Sequence, residues 1–387
     1  MELRAHRAWA VAAAVALAAA LAVGAAKAAA RVTDDPVVWG LAGWVIPGDY
    51  GVFLGAGHAV LDGESPYPSG ELAPPPAAYY VYPPPLALAM TPFAAVDDPV
   101  TASIWTLLGI GAVVLGLLVL GVRDWRCHAL VLLYPGTREA LEYGAIGTFL
   151  LLLVALAWRY RDRAGAAAAA TAGAVVLKLF LWPLLVWHVL TGRVRTALAA
   201  AVGAAALALA SWAVIGFRGL TDYPRVLGKL TDLEAAETYS LFALGRALGL
   251  PEAAAQALAV AVGAALLAAA AMAARRRSEA GDARALVLTL AGAFALTPIL
   301  WQHYLVLLAL PVALARRTLS PLWFLPLVGI VFEALGWYGG WVYGDVPTLL
   351  SVLGTIAVVV AASLAALGGM TAEALRPRPR RPVRASR

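Results

Sequence analysis

HALVLLYPGTREALEYGAIGTFLLLLVALAW, residues 128–158, is apolar at both ends and broken in the middle by Pro135, Arg138, Glu139, Glu142 and Gly144. A bilayer core takes about 20 residues of helix, so a run of about 30 is long for one span and short for two full ones. Lipid offers no partner to a charge or an unpaired backbone group, so the polar middle belongs at an aqueous tip. The stretch therefore reads as a hairpin of two short spans. The same form recurs at 164–192, around Lys178-Leu-Phe-Leu-Trp-Pro183, and at 284–315, around Thr297-Pro-Ile-Leu-Trp-Gln-His-Tyr304.

Composition supports that reading for the whole chain of 387 residues. It is 62% hydrophobic and only 13% charged, more apolar surface than a soluble chain of this size can hide. The short alternating segments of an outer-membrane barrel are absent. The expected class is an all-α polytopic membrane protein. One cysteine, Cys127, excludes an internal disulfide and a cysteine-based metal site. The five histidines have no ligand spacing, so neither metal nor cofactor is expected. No phosphate-cradling glycine loop appears, which argues against a nucleotide donor. The net charge of +6 is not a nucleic-acid signal, because its distribution across the membrane matters more.

Single spans are expected at about 8–30, 101–121, 196–216, 252–274, 320–338 and 347–368. With three hairpins of two arms each, the total is about 12 transmembrane helices. The first run is long enough to be retained as a helix, a cleaved signal being the alternative. Residues 31–99 form a first outer segment, within which Pro83 to Val96 is an interfacial or re-entrant helix. One transmembrane domain thus covers 1–375, followed by a basic tail, 376–387. Charge tests the arrangement. One side collects 21 of the 29 Lys+Arg, including Arg123, Arg161, Arg193, Arg275 and Arg317, against 6 acidic residues; the other holds 8 basic and 17 acidic residues. Reading any hairpin as a single span spoils the separation. The positive-inside rule makes the arginine-rich side cytoplasmic, with both termini, and turns all three hairpin tips outward. This is the pattern of a multi-pass cell-membrane protein whose arginine tail is drawn to anionic lipid.

Polar groups held in a membrane tend to face a cavity and do a job. Asp49 follows the first span closely and is placed to act as a general base on a hydroxyl. It is also a good helix N-cap after Pro47-Gly48, and the two roles are compatible. Lys178, between Leu177 and Leu179, is set to neutralise a phosphate or to snorkel. Arg138 stands beside Glu139 and Glu142, which suggests a local ion pair. His303 reads as a hydrogen-bonded core histidine or as a ligand. Asp62 to Tyr67 is most simply a turn, and Tyr79, Tyr80 and Tyr82 fit an aromatic belt or a substrate platform. Around these, Tyr50, His58, Tyr67, Tyr82, Trp182, Trp301 and Gln302 are the candidate substrate-binding residues. The loop from Arg218 to Glu252, of mixed charge, reads as an amphipathic lid.

Together these features resemble the polyprenyl-phosphate-sugar-dependent glycosyltransferases of the GT-C superfamily, and within them glycosyltransferase family 87, the actinobacterial α-mannosyltransferases. The resemblance rests on Asp49-Tyr50 soon after the first span, Gly63-Glu-Ser-Pro-Tyr67, Tyr82-Pro-Pro84, Lys178 with Pro183, and the motif at 297–304. The chain departs where the family often has two consecutive histidines after the tryptophan, and at Gly144-Ala145-Ile146, where it often has Gly-Gln-Asn. The resemblance implies GT-C-like interfacial helices in the first outer loop. It also implies mannose transfer from polyprenyl-phosphate mannose to a lipid-linked glycan acceptor on the outer face, with inversion. Asp49 would be the base, and Lys178, Arg138 and His303 would receive the donor phosphate; membrane lipids would be the only other partners. A transporter or flippase of a lipid-linked sugar is the rival reading, although no repeat relates the two halves of the chain.

Overall fold

The computed structural model describes residues 48–69, 79–96, 100–235 and 238–327. The expected spans at 8–30 and 347–368, most of 320–338 and the arginine tail lie outside the described residues. Among the described residues every regular element is a helix.

Among the described residues three helices are long and apolar enough to cross a bilayer: α3 (Val100–Val119), α9 (Val194–Val214) and α12 (Glu252–Ala274). They agree within two residues with expected single spans. At about 1.5 Å per residue they reach 30 Å or more, the thickness of the hydrocarbon layer. Their outward leucines and valines, such as Leu107, Leu115, Leu198, Val202 and Val260, are exposed, as lipid-facing positions are. Ahead of them lie α1 (Asp49–Leu61) and α2 (Pro84–Val96), packed on each other. The expected short helices on both sides of the tyrosine cluster are therefore present.

The three broken stretches fold as paired arms. In the first, α4 (Trp125–Leu133) and α5 (Pro135–Glu142) lead to a turn at 143–146, and α6 (Gly147–Arg159) returns. The polar middle is more helical than the sequence suggested, because Pro135 occupies the first helical position, where its missing N–H costs nothing. In the second, α7 (Ala164–Leu177) ends at Lys178, and a single 3-10 turn leads into α8 (Pro183–Leu190). A buried Thr171–His188 hydrogen bond of 2.9 Å ties its arms. In the third, α13 (Glu279–Leu296) breaks at Thr297–Trp301, and the return arm is a 3-10 segment, Gln302–Leu308, continued by α14 (Ala309–Ala315).

Ion pairs show that the arms begin and end together. Arg193, just after α8, reaches Asp162, just before α7, at 2.8 Å and Asp282 of α13 at 2.7 Å. Arg161 lies 3.3 Å from Glu279. The Leu319 N–H donates to Asp124 at 3.1 Å, and Asp124 also caps α4 by accepting from the Arg126 backbone. The Arg126 guanidinium, then the Leu319 amide, hold the Asp124 carboxyl well below the usual carboxylate range. The residues 121–126 and 316–320 meet here, since Gly121 lies against the Arg317 side chain. The helices α3 and α6 run in the same direction, Gly109 touching Thr148 and Gly116 touching Leu152, so these contacts lie at one end of the bundle. That end is arginine-rich, and the three hairpin tips all lie at the opposite end.

Two later elements close the tip end. They are α10 (Asp222–Glu234) and α11 (Leu241–Ala247), both from the expected lid loop. Val226 and Leu230 of α10 are buried and its opposite face is exposed. Gly263 of α12 meets Leu296 at the top of α13, so residues 252–262, about three turns of helix, extend past the third tip and leave it recessed.

Candidate active site

A cavity of about 360 Å³ sits where the tips meet. It is lined by Asp49 from the start of α1, Tyr79 and Tyr82, and Glu139 and Tyr143 from the first tip. The second tip adds Lys178, Leu179, Phe180 and Trp182, and the third adds Thr297, Trp301, His303 and Tyr304. Leu227, Leu230, Thr231 and Glu234 of α10 cover it. A volume of this size fits a small polar ligand such as a sugar.

Asp49 is the first residue of α1. The N-cap is Gly48, at φ 135, and it makes no side-chain capping bond, so the capping position falls one residue earlier and the Asp49 carboxylate is turned to the cavity. Its register is set from the backbone: Tyr50 N–H donates to the Tyr143 carbonyl at 3.0 Å. Asp49 Oδ2 is buried without a hydrogen-bond partner and lies 3.8 Å from His303 Nε2, which also lacks one. On the far side of the imidazole, His303 Nδ1 lies 3.4 Å from Glu139 Oε1.

Lys178 occupies the break between α7 and the following turn, with extended backbone (φ −148, ψ 105). Its ammonium lies 4.2 Å from the centre of the Tyr82 ring and 4.9 Å from that of Tyr304, with no hydrogen bond or ion pair to a described residue. The two phenols meet at 3.3 Å. The Asp49 and Glu234 carboxylates also act on this charge from across the cavity, and a cation that lies on aromatic faces without a hydrogen bond can receive an anion.

The structure brings together six of the residues singled out from sequence: Asp49, Lys178, His303, Tyr82, Trp182 and Trp301. Five others are not among the lining residues. The Tyr50 hydroxyl donates to Thr101 at 2.7 Å, fastening α1 to α3. Tyr67 stacks on Trp212 at 5.2 Å and donates to the Tyr82 carbonyl at 2.7 Å, so it supports a lining residue from behind. His58 lies in the last turn of α1. Gln302 is buried at the start of the third return arm. Arg138 lies on α5 beside a lining residue. Residues 62–67 form the expected turn, with Gly63 at φ 72 and Glu64 N–H bonded to the Ala59 carbonyl.

Glu139, Glu234 and Tyr304 line the cavity and were not singled out. Glu139 had a signal: adjacent helix positions do not face each other, so Arg138 beside it is not its natural partner. Glu234 lies eight residues after Val226 and four after Leu230, the spacing of one helix face, so it shares their inward side. Among the described residues no cluster of His, Cys, Asp and Glu is arranged to hold a metal ion.

Among the described residues an all-helical body, with apolar helices of membrane length and a recessed cavity that holds a few charged groups, has the features of an integral membrane protein. The sequence profile of glycosyltransferase family 87 matches residues 80–311. The chain belongs to that family and is a glycosyltransferase. No curated protein and no solved structure matches it.

Proposed function

We propose that the protein is a GT-C-type enzyme that moves mannose from polyprenyl-phosphate mannose to a lipid-linked glycan acceptor, with inversion. The observation that carries this reading is the shared cavity: a buried, unpartnered carboxylate oxygen of Asp49 and the Lys178 ammonium face one space. A charged base and an anion-accepting cation in one recess are what transfer from a sugar phosphate requires.

Asp49 accepts the proton of the attacking hydroxyl, whose oxygen bonds to the anomeric carbon as the bond to the phosphate oxygen breaks. Lys178 receives the departing phosphate, and its charge acts most strongly in a recess that excludes water. The donor tail leaves between helices past Leu179 and Trp182, which are 44% and 45% exposed and give the mouth an apolar rim. The acceptor enters beneath α10. By the positive-inside rule the cavity faces outward from the cell membrane, opposite the arginine-rich end.

The test is purified protein in detergent with labelled polyprenyl-phosphate mannose and a mannosylated lipid. Covalent product that disappears in Asp49→Asn, with the variant still accumulating, is expected. Full activity in that variant removes Asp49 as the base. Movement of the lipid in vesicles without covalent product makes the protein a carrier instead.

A further inference from the structure

The imidazole of His303 lies between two carboxylates, Glu139 on Nδ1 at 3.4 Å and Asp49 on Nε2 at 3.8 Å. Its backbone is fixed against the first hairpin with no side chain between them. A Cβ on Gly136 would lie 2.6 Å from the Gln302 carbonyl oxygen and 2.9 Å from Val306 N, and one on Gly147 would collide with the His303 carbonyl. The 302–306 backbone and α5 are thus held in register, and with them His303 and Glu139.

We propose that Glu139 is a positioning residue for His303, and that Asp49 and His303 together take up the acceptor's proton. This deepens the glycosyl-transfer reading and rests on it. An Nδ1–H turned to Glu139 leaves Nε2 an acceptor facing a second acceptor, Asp49 Oδ2, and neither has another partner. Two buried acceptors face to face lack one proton between them. In the reaction the acceptor O–H breaks, its electron pair forms the new bond to the anomeric carbon, and the pair of the old bond leaves with the phosphate. The proton comes to rest between Oδ2 and Nε2, and the Glu139 carboxylate balances an imidazolium. It returns to water on product release. The other charged groups facing this space are Lys178 and Glu234, with the tyrosines Tyr79, Tyr82, Tyr143 and Tyr304.

Two measurements on the full-length protein in detergent test this. The first is the rate of transfer against pH, whose acid limb reports the proton-accepting pair. Glu139→Gln is expected to lower the plateau and move that limb to lower pH by roughly one unit, the effect of removing a nearby opposite charge. Glu139→Asp, which keeps the charge, is expected to leave the limb near its original position. A limb unmoved in Glu139→Gln overturns the proposal, because a merely structural loss lowers the rate alone. The second is ¹⁵N NMR of histidine-labelled protein, with the His303 signal identified by its absence in His303→Gln. The wild type is expected to carry the proton on Nδ1, and a proton on Nε2 overturns the proposal without any Glu139 variant. An Nδ1 proton in a protein that transfers no sugar refutes the glycosyl-transfer reading and leaves the Glu139–His303 pairing in place.

Discussion

Gly144 stands where the first hairpin turns, and replacing it with alanine perturbs the cavity without touching a lining residue. Its φ is +66, and a Cβ there would lie 2.6 Å from Tyr50 Cβ and 3.3 Å from the Trp105 ring. Left-handed backbone costs a non-glycine residue about 1–2 kcal/mol. A Cβ contact below 3.0 Å essentially never persists, so Tyr50 must yield by at least 0.4 Å or the turn must open. Overpacking of this kind costs about 1–3 kcal/mol. Because Tyr50 is hydrogen-bonded to the Tyr143 carbonyl and follows Asp49 directly, the displacement falls on Asp49. The expected total is about 2–5 kcal/mol, read as a fall of roughly 2–6 °C in the thermal midpoint in detergent for a chain of this length. Transfer should drop by about tenfold or more, since small misplacements of reacting groups are costly. Gly111→Ala in α3 is the control, because nothing lies within 4 Å of its Cβ position; its midpoint should stay within about 1 °C of wild type. A Gly144→Ala protein as stable and active as that control would refute the close approach of α1 to the first tip.

Lys178→Gln removes the charge and leaves the Tyr82–Tyr304 pair; losing a charged hydrogen bond to phosphate is worth about 2 kcal/mol, or roughly thirtyfold in kcat/KM for the donor. Unchanged donor dependence would return Lys178 to a packing role. Asp282→Ala leaves Arg193 and Arg161 partly buried with one counter-charge fewer, and is expected to destabilise the arginine-rich end by about 3 kcal/mol. Thermal unfolding reads it directly, and a midpoint equal to wild type would mean that Asp162 and Glu279 carry the load alone.

The hairpins were legible because each break combines proline or glycine with a charged or hydrogen-bonding group inside an apolar run. No single lipid-facing helix tolerates that combination. The convergence of Asp49, Lys178 and His303 was legible in part for the same reason: Lys178 and His303 lie at such breaks, Asp49 lies in the outer segment after the first expected span, and the charge separation put all three at one end. Side-chain direction was less accessible. Tyr50 and Tyr67 sit in the motifs that carried the resemblance, yet their hydroxyls go to Thr101 and to the Tyr82 backbone, a choice made by long-range packing. Glu139 was read with its sequence neighbours, whereas its close partner is His303, 164 positions away. Glu234 was one acid among several in a mixed-charge loop, and only the helical phase of α10 turns it inward.

The cavity draws on residues 49, 139, 178 and 303, so its walls arrive in order as the chain is made. A nascent chain that stops short of the third hairpin already holds the acid and the lysine, but lacks the imidazole, the Tyr304 ring and the Thr297–Trp301 wall. The recess therefore closes late in biosynthesis, when the last tip docks on Gly136 and Gly147. A half-inserted chain has the acid and the lysine side by side with no wall to shut them off from water.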